Sequence, residues 1–341
     1  MSRQTNRRKL LGGMAGAALV GTHQSAAAAD EVTNLRFVRQ LGIGYLPIYV
    51  IEAQNLIDKH AKALGLPGVT ATFRQVTSPA IMNDMLLAND TDIVVGGFPP
   101  FVTIWDKTRG TFDIKCIAAL NCQPLFILTT NPNVKSVADF SGKDRIAVPA
   151  VGVSTQAVCL QMIAGKLFGP KNIRHFDAWT VGFAHADAAA ALIGGKSELT
   201  AHFSSMPLQQ EELRHSHIRR IGTCYDATDG PSTTSNIWAT RKFYEANPKT
   251  MKALVAALDE AIVFLRKNPL EAAKMYIELD KSKLEPAFVA KLVEDPEMVW
   301  ELTPRNTVKV TDFMFETGRI KNRPASWKDM FFEGIHDRQG S

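Results

Sequence analysis

The sequence lacks the features that define several large protein classes. It has only four cysteines in 341 residues and none before Cys116, which excludes a disulfide-rich scaffold and leaves no lipid-attachment cysteine early in the chain. The nearest pair, Cys116 and Cys122, is compatible with one disulfide or with two buried thiols. No segment approaches the roughly 20 consecutive apolar residues of a transmembrane helix. Beyond residue 29 no run of Lys or Arg is interleaved with aromatic residues, so the sequence predicts no nucleic-acid partner.

Motifs that mark common enzyme classes are also missing. No G-x-G-x-x-G follows the first predicted strand, and the G-x-x-x-x-G-K-[ST], G-x-S-x-G and H-E-x-x-H patterns do not occur. His215 and His217 stand two residues apart on a basic segment, which is not a metal-ligand spacing, and Cys159 is predicted to pack within a helix. These absences favour a binding protein over an enzyme, with no metal and no cofactor.

Residues 1–29 predict an export signal. The weakly apolar run from Leu10 to Gly21 is too short to span a bilayer, and the small-residue pattern Ala26–Ala29 follows it. The residues before this run carry positive charges only, at Arg3, Arg7, Arg8 and Lys9. Cleavage near Asp30 lowers the formal net charge from +5 to +1, because four basic residues and no acid are removed. We therefore expect a free periplasmic protein, exported by the general or the twin-arginine route; the alternative is an Ala-rich cytoplasmic tail.

The rest of the chain alternates strand patterns with helix patterns. Strands are predicted at 35–43, 69–76, 92–95, 114–120, 125–130, 146–148, 173–179, 199–203, 218–224 and 236–240. Helices are predicted at 47–64, 80–87, 155–168 and 184–193, with further helix starts near residues 248, 269, 285 and 307. One more helix is predicted after Phe98-Pro99-Pro100 and runs to about residue 107. This alternation predicts parallel strand pairing with right-handed crossovers. With 45% hydrophobic residues, the chain can bury two cores.

The order of these elements predicts an α/β clamshell of two lobes. Residues 30–122 and 232–341 are assigned to lobe one, and residues 123–231 to lobe two. The chain then crosses between the lobes twice, and the C-terminal helices pack back on lobe one.

Four segments carry a resemblance to a known family. They are Gly44-Tyr45-Leu46-Pro47, Asp92 to Phe98, Val137 to Lys143 leading into Ile146-Ala147-Val148, and Ala191 to Lys196. In order and spacing these segments resemble periplasmic substrate-binding proteins of ABC importers, in the branch that binds sulfonates, nitrate, taurine and thiamine-precursor pyrimidines. The resemblance implies the type II periplasmic binding fold, one small-molecule ligand between the lobes, and a membrane permease as partner. We expect the receptor to be a monomer.

Three loops lie where a predicted strand ends and a helix begins, which is the ligand-binding edge of an open α/β sheet. They are Tyr45-Leu46-Pro47, Phe98-Pro99-Pro100 and Ser154-Thr155-Gln156. A helix N-terminus offers unpaired N–H groups and partial positive charge to an anion. Proline removes such donors from the first two loops, so they are expected to shape the wall, whereas Ser154-Thr155 is the main candidate for holding the anion.

The predicted ligand-binding residues are Tyr45, Ser78, Phe98, Ser154, Thr155, Gln156, His202 and Ser204. Six of them have an ordinary structural alternative: Ser78, Ser154 and Thr155 as helix caps, Tyr45 as a turn residue, Phe98 as core, and His202 as a satisfied buried histidine. Trp179, Trp238 and Arg74 are less favoured, because their patterns fit packing or solvent exposure.

The predicted ligand is a small organic anion such as a sulfonate, taurine or nitrate. The alternative ligand is a neutral nitrogen heterocycle such as a thiamine-precursor pyrimidine, which would use aromatic side chains. A secreted enzyme is the third possibility, because one eukaryotic pyrimidine synthase shares this branch of the fold. The present chain lacks the CCCFC segment of that enzyme family.

Overall fold

The computed structural model of the chain describes residues 31–76 and 78–341. Residues 31–341 form one compact unit. The predicted export signal at residues 1–29 lies outside the described residues. No helix in the described part of the chain combines the length and the apolar character needed to cross a membrane.

The strands and helices follow the alternating order predicted from the sequence. The strands are β1 (Asn34–Arg39), β2 (Thr70–Gln75), β3 (Ile93–Gly97), β4 (Lys115–Cys122), β5 (Phe126–Thr129), β6 (Ile146–Val148), β7 (Thr180–Gly182), β8 (Ala201–Phe203), β9 (Arg219–Thr223), β10 (Ser235–Ala239) and β11 (Val299–Trp300). The helices are α1 (Leu46–Gln54), α2 (Leu56–Ala63), α3 (Pro79–Leu87), α4 (Phe98–Lys107), α5 (Thr155–Phe168), α6 (His185–Gly194), α7 (Leu208–Glu212), α8 (Tyr225–Thr228), α9 (Arg241–Ala246), α10 (Pro248–Lys267), α11 (Pro269–Asp280), α12 (Pro286–Val293) and α13 (Thr307–Glu316).

Two sheets organise the molecule. The first has the order β11-β4-β10-β3-β1-β2, with β1 parallel to β2 and β3, and β10 antiparallel to β3 and β4. The second has the order β7-β6-β8-β5-β9, with β6 parallel to β7 and β8. Lobe one below means the part built on the first sheet, and lobe two the part built on the second. The chain enters the second sheet after β4 and returns at β10, so the molecule has the predicted two-lobed α/β clamshell fold.

Buried apolar residues explain the placement of the central elements. Ile93, Val94 and Val95 of β3 are fully buried, as expected for an inner strand covered on both faces. The C-terminal helices α10 and α11 pack on α1, and α10 also packs on α2. The C-terminal helical segment therefore completes lobe one.

Two sequence predictions require correction. The predicted helix 47–64 is divided at Asn55, which adopts a left-handed conformation (φ 50°, ψ 40°) that asparagine tolerates better than most residues. The predicted strand 173–179 is wrong, because this segment forms short 3₁₀ turns and the strand begins at Thr180. Its apolar residues pack locally instead: the Phe176 ring lies 5.7 Å from the Phe168 ring at the end of α5.

The four cysteines are buried free thiols. Cys116 and Cys122 lie near opposite ends of β4, which puts about 20 Å between them at ~3.3 Å per residue, and a disulfide needs Cα atoms within about 7 Å. Burial raises the pKa of the Cys116 thiol. Of the two possibilities that the sequence left open for this pair, the structure has the buried thiols.

Candidate functional site

A cavity of about 80 Å³, termed the inner cavity, lies between the lobes. Lobe one contributes Gln40, Tyr45, Pro79, Gly97 and Pro100; lobe two contributes Ser154, Thr155, Gln156, His185 and Met206; the crossings contribute Gln123 and Thr234. None of the described lining residues is Lys, Arg, Asp or Glu. A ligand here meets uncharged polar groups and one histidine.

A wider space of about 540 Å³, termed the outer cleft, shares part of this lining, including Gln40, His185 and Met206. Charged side chains appear only farther out along its wall, at Asp187, Glu211, Asp280 and Lys283. The inner cavity and the outer cleft therefore differ in charge, although His185 borders both.

On the lobe-one side, three helices begin at the inner cavity, and each carries proline in its first turn. Pro47 is the second residue of α1, Pro79 is the first of α3, and Pro99 and Pro100 lie in the first turn of α4. Proline has no N–H, and the Phe98 N–H donates to the Thr234 carbonyl at 3.2 Å. These helix starts therefore form wall and offer few donors.

On the lobe-two side, α5 begins at the inner cavity without proline. Ser154 has an extended backbone (φ −64°, ψ 159°) and caps the helix, its Oγ accepting from the Ala157 N–H at 3.3 Å. The backbone N–H groups of Thr155 and Gln156 and the Thr155 hydroxyl have no hydrogen-bond partner within residues 31–76 and 78–341. Unpaired donors at the N-terminus of a 14-residue helix form an anion-binding arrangement.

Close approach of the lobes explains one glycine of the cavity wall. A Cβ added at Gly97 of lobe one would lie 2.6 Å from Thr155 Oγ1 of lobe two, which is closer than real Cβ contacts allow. Glycine at this position lets the two lobes meet beside the unpaired donors of α5.

Tyr45 and Gln123 add polar groups to the same wall. Burial raises the pKa of the Tyr45 hydroxyl, so it stays protonated and can donate. The Gln123 side chain is buried and has no hydrogen-bond partner among the described residues. Both are therefore available to a ligand.

A hydrogen-bonded chain runs from the inner cavity into lobe two. Gln156 Nε2 lies 3.1 Å from His185 Nε2, and His185 Nδ1 lies 3.0 Å from His202 Nε2. His202 Nδ1 lies 2.8 Å from Glu212 Oε1, and the Ser204 hydroxyl donates to Glu212 Oε2 at 2.5 Å. His202, Ser204 and Glu212 are fully buried. Burial and the neighbouring His202 lower the pKa of His185 to about 3.

The structure brings four of the predicted residues together at the inner cavity: Tyr45, Ser154, Thr155 and Gln156. Ser78 caps α3 beside the lining residue Pro79. Three others do not line the cavity: Phe98 is fully buried in lobe one, where its ring lies 5.8 Å from that of Phe101, whereas His202 and Ser204 face Glu212 inside lobe two.

Sequence reasoning missed His185, Gln40 and Gln123. His185 opens α6 shortly after β7 ends at Gly182, the same kind of position that singled out Thr155. The helix start was predicted at residue 184, but the misassigned strand 173–179 ended too early to mark the junction. Gln40 and Gln123 directly follow β1 and β4, where ligands bind at strand ends. The sequence did not single them out, because the first strand was predicted to run to residue 43 and the other to end at residue 120.

In the part of the chain that the structure describes, the fold is a two-lobed α/β clamshell with the inner cavity at the lobe interface. The sequence profile of the NMT1/THI5-like family matches residues 68–272. The chain belongs to this family. No curated protein sequence matches it.

Three solved structures have a similar fold. The alkanesulfonate-binding protein SsuA of Xanthomonas axonopodis pv. citri, bound to MOPS, has a TM-score of 0.67 at 16% identity, over 86% of this chain and 96% of that one. The periplasmic aliphatic sulphonate-binding protein SsuA of Escherichia coli has a TM-score of 0.66 at 16% identity, over 89% and 93%. The periplasmic nitrate-binding protein NrtA of Synechocystis PCC 6803 has a TM-score of 0.65 at 16% identity, over 88% and 84%. At these identities the likeness shows the shared fold.

Proposed function

We propose that the protein is the extracytoplasmic receptor of an ABC-type importer and that it binds a small organic anion, such as a sulfonate, between its lobes for delivery to a permease. The main support for this proposal is the pair of unpaired N–H groups of Thr155 and Gln156, in a cavity whose described lining residues include no Lys, Arg, Asp or Glu. A helix N-terminus can hold an anion without a full counter-charge.

The mechanism is closure around the ligand. An anion on the start of α5 also reaches Tyr45 and Gln123 across the cavity, so it makes contacts to both lobes only when they are together. A ligand that binds the closed form more tightly shifts the population toward it. The permease then meets a closed, loaded receptor. No covalent step is needed, and family membership supports binding rather than catalysis.

The lining favours an anion over a neutral heterocycle. Tyr45 is the one Phe, Tyr or Trp among the described residues that line the inner cavity. Trp238 and Phe98 are fully buried elsewhere, so the other ring that a heterocycle would meet is the His185 imidazole, which is hydrogen-bonded to Gln156 and His202.

A thermal-shift screen of residues 30–341 tests the ligand class. Ethanesulfonate, taurine, nitrate, acetate and an aminopyrimidine would be compared, since a ligand at 100 times its dissociation constant stabilises the folded state by about 2.7 kcal/mol. We expect stabilisation by at least one sulfonate, with one site per chain in calorimetry and the ligand recovered unchanged. Stabilisation by the pyrimidine alone would show that the ligand is a heterocycle and not an anion. Turnover of any ligand would contradict the receptor role.

Export is tested separately. Protein recovered from the periplasm should begin near Asp30, and an intact Met1 on exported protein would contradict the signal. Replacement of Arg7 and Arg8 together by lysine should block export only by the twin-arginine route.

A further inference from the structure

The proposed anion site leaves one feature unexplained. Glu212 is a fully buried carboxylate in lobe two, and two histidines in series join it to the inner cavity. A structural role for His202 alone would need no second histidine, and His185 is the member of this chain that lines both the inner cavity and the outer cleft.

The direction of the hydrogen bonds follows from the carboxylate. An ionised carboxylate only accepts, so His202 must donate to Glu212 through Nδ1–H. A neutral His202 then accepts at Nε2, which requires His185 to donate through Nδ1–H. In this state the Nε2 atom of His185 at the cavity is an acceptor, and the Gln156 amide N–H can donate to it.

One additional proton reverses the hydrogen bond between the two histidines. Whether that proton resides on Glu212 or on His202, the Nε2 atom of His202 carries hydrogen and donates to His185 Nδ1. His185 then carries its own hydrogen on Nε2 and presents a donor to the cavity. Without the proton, His185 Nε2 is therefore an acceptor that the Gln156 N–H occupies; with the proton, it is a donor that an anion in the cavity can accept from.

The net charge of the hydrogen-bonded residues also changes in a direction that favours an anion when the proton binds. Without the proton the chain carries one buried negative charge, which opposes an anion in the cavity; with it, the chain is neutral. An anion next to His185 favours the protonated state by direct hydrogen bonding and by removal of this repulsion.

We propose that His185 is a ligand-binding residue and that His202 and Glu212 are positioning residues. Together the three couple the binding of an anion to the uptake of one proton by their hydrogen-bonded chain. The proposal rests on the proposed anion receptor and extends it, because a neutral ligand that donates hydrogen bonds would select the unprotonated chain and take up no proton.

Other ionisable groups also face His185. Asp187 on its own helix, Glu211 on α7, and Asp280 and Lys283 of lobe one line the outer cleft with it. The Asp280 carboxylate accepts from the Tyr49 hydroxyl at 2.5 Å. Three carboxylates and one ammonium group give the cleft a net negative charge, which favours a proton on the hydrogen-bonded chain. His185 is the one histidine among the described residues that line the cleft.

Calorimetry of the mature protein with ethanesulfonate tests the coupling, because this probe stays ionised at neutral pH and any proton must enter the protein. Titrations in buffers of different ionisation enthalpy, from pH 5 to 8, should give an uptake approaching one proton per bound anion. Over that range the dissociation constant should rise by up to about tenfold per pH unit.

His185→Gln keeps an amide donor and removes the ring that links the ligand to His202, so it should weaken binding and abolish most of the uptake. His217→Gln, at an exposed histidine of the same lobe, should behave as wild type. Binding by wild type with a buffer-independent enthalpy would overturn the coupling and leave the receptor in place, as would full uptake in His185→Gln. No binding of any screened anion to wild type would instead overturn the anion receptor, and the coupling with it. The wild-type measurement alone decides whether anion binding is coupled to proton uptake, even if the variant does not fold.

Discussion

The two walls of the cavity are built from the same element, a helix start at the end of a strand, but they differ in what they offer a ligand. The lobe-one helices α1, α3 and α4 begin with proline and have few free N–H groups, whereas α5 of lobe two begins with unpaired donors. Lobe two also holds the histidine chain. For the proposed anion receptor, this comparison predicts that lobe two supplies most of the donors to the ligand, whereas lobe one mainly sets the size of the space.

Lobe one has a second means of acting on affinity, through closure. Arg319, which follows α13, donates across the interface to the Gly152 carbonyl and to Gln161 Oε1 of lobe two. Nearer the crossings, the Tyr225 hydroxyl of lobe two donates to the Glu297 carbonyl at 2.8 Å. These contacts hold the lobes together without touching the cavity.

The largest effect is expected when α5 is made to resemble the helices of lobe one. Thr155→Pro preserves a favourable first helical residue but removes its N–H, so sulfonate affinity should fall about tenfold to a hundredfold, as for a hydrogen bond to a charged group. Titration calorimetry measures the change.

The matched control is Thr155→Ala, which loses the hydroxyl but keeps the N–H and should cost less. Thermal unfolding must be followed in both variants, since a disturbed helix cap alone costs about 1 kcal/mol. Equal affinity in the two variants would show that the N–H does not bind the ligand.

A smaller effect is expected when the contacts that Arg319 makes between the lobes are removed. Arg319→Ala should shift the unliganded protein toward open forms and raise the dissociation constant about threefold to tenfold, because closing the lobes then costs part of the binding free energy. Small-angle scattering should show a larger radius of gyration without ligand. Arg323→Ala is the control, since Arg323 pairs with Asp312 within lobe one at 2.8 Å. Unchanged scattering and affinity in Arg319→Ala would contradict the idea that lobe one affects affinity by holding the lobes closed.

Gly97→Ala probes the contact between the walls. The new Cβ would displace the Thr155 hydroxyl, so affinity should fall about twofold to fivefold. The loss of folding stability should stay near the lower end of the ~1–3 kcal/mol typical of overpacking, because the group that must move is a rotatable side chain. Gly182→Ala, where an added Cβ meets nothing within 4 Å, should leave affinity unchanged. A similar loss in both variants would mean that the contact is not specific.

The smallest effect is expected on the lobe-one wall itself. Pro100→Ala adds an N–H to the first turn of α4 but leaves the recognising donors of α5 untouched, so sulfonate affinity should stay within about twofold. A tenfold change in either direction, measured by the same calorimetry, would contradict the division of roles between the lobes.

The fold was largely predictable because its elements are locally encoded. Thr155–Phe168 was predicted with its observed bounds, since Ser154 is a strong cap and the apolar pattern ends at Phe168. The pairing of lobes through residues such as Arg319 was not predictable, because it depends on contacts between segments that are distant in sequence.

The candidate site was predicted only in part. Ser154, Thr155 and Gln156 follow from a local rule about helix starts. The histidine chain does not, because His185, His202 and Glu212 lie on three elements, and only the pairing of β6 with β8 and the packing of α6 and α7 bring them together.

The position of β10 between β3 and β4 determines when each half of the molecule can be completed. All strands of the second sheet precede β10 in the chain, so a ribosome or translocon releases the whole of lobe two before lobe one receives its central strand. Until then the edges of β3 and β4 lack their partner and are open to wrong pairing. A defect in lobe two that delays the emergence or folding of that part would therefore expose lobe one to aggregation, although no residue of lobe one had changed.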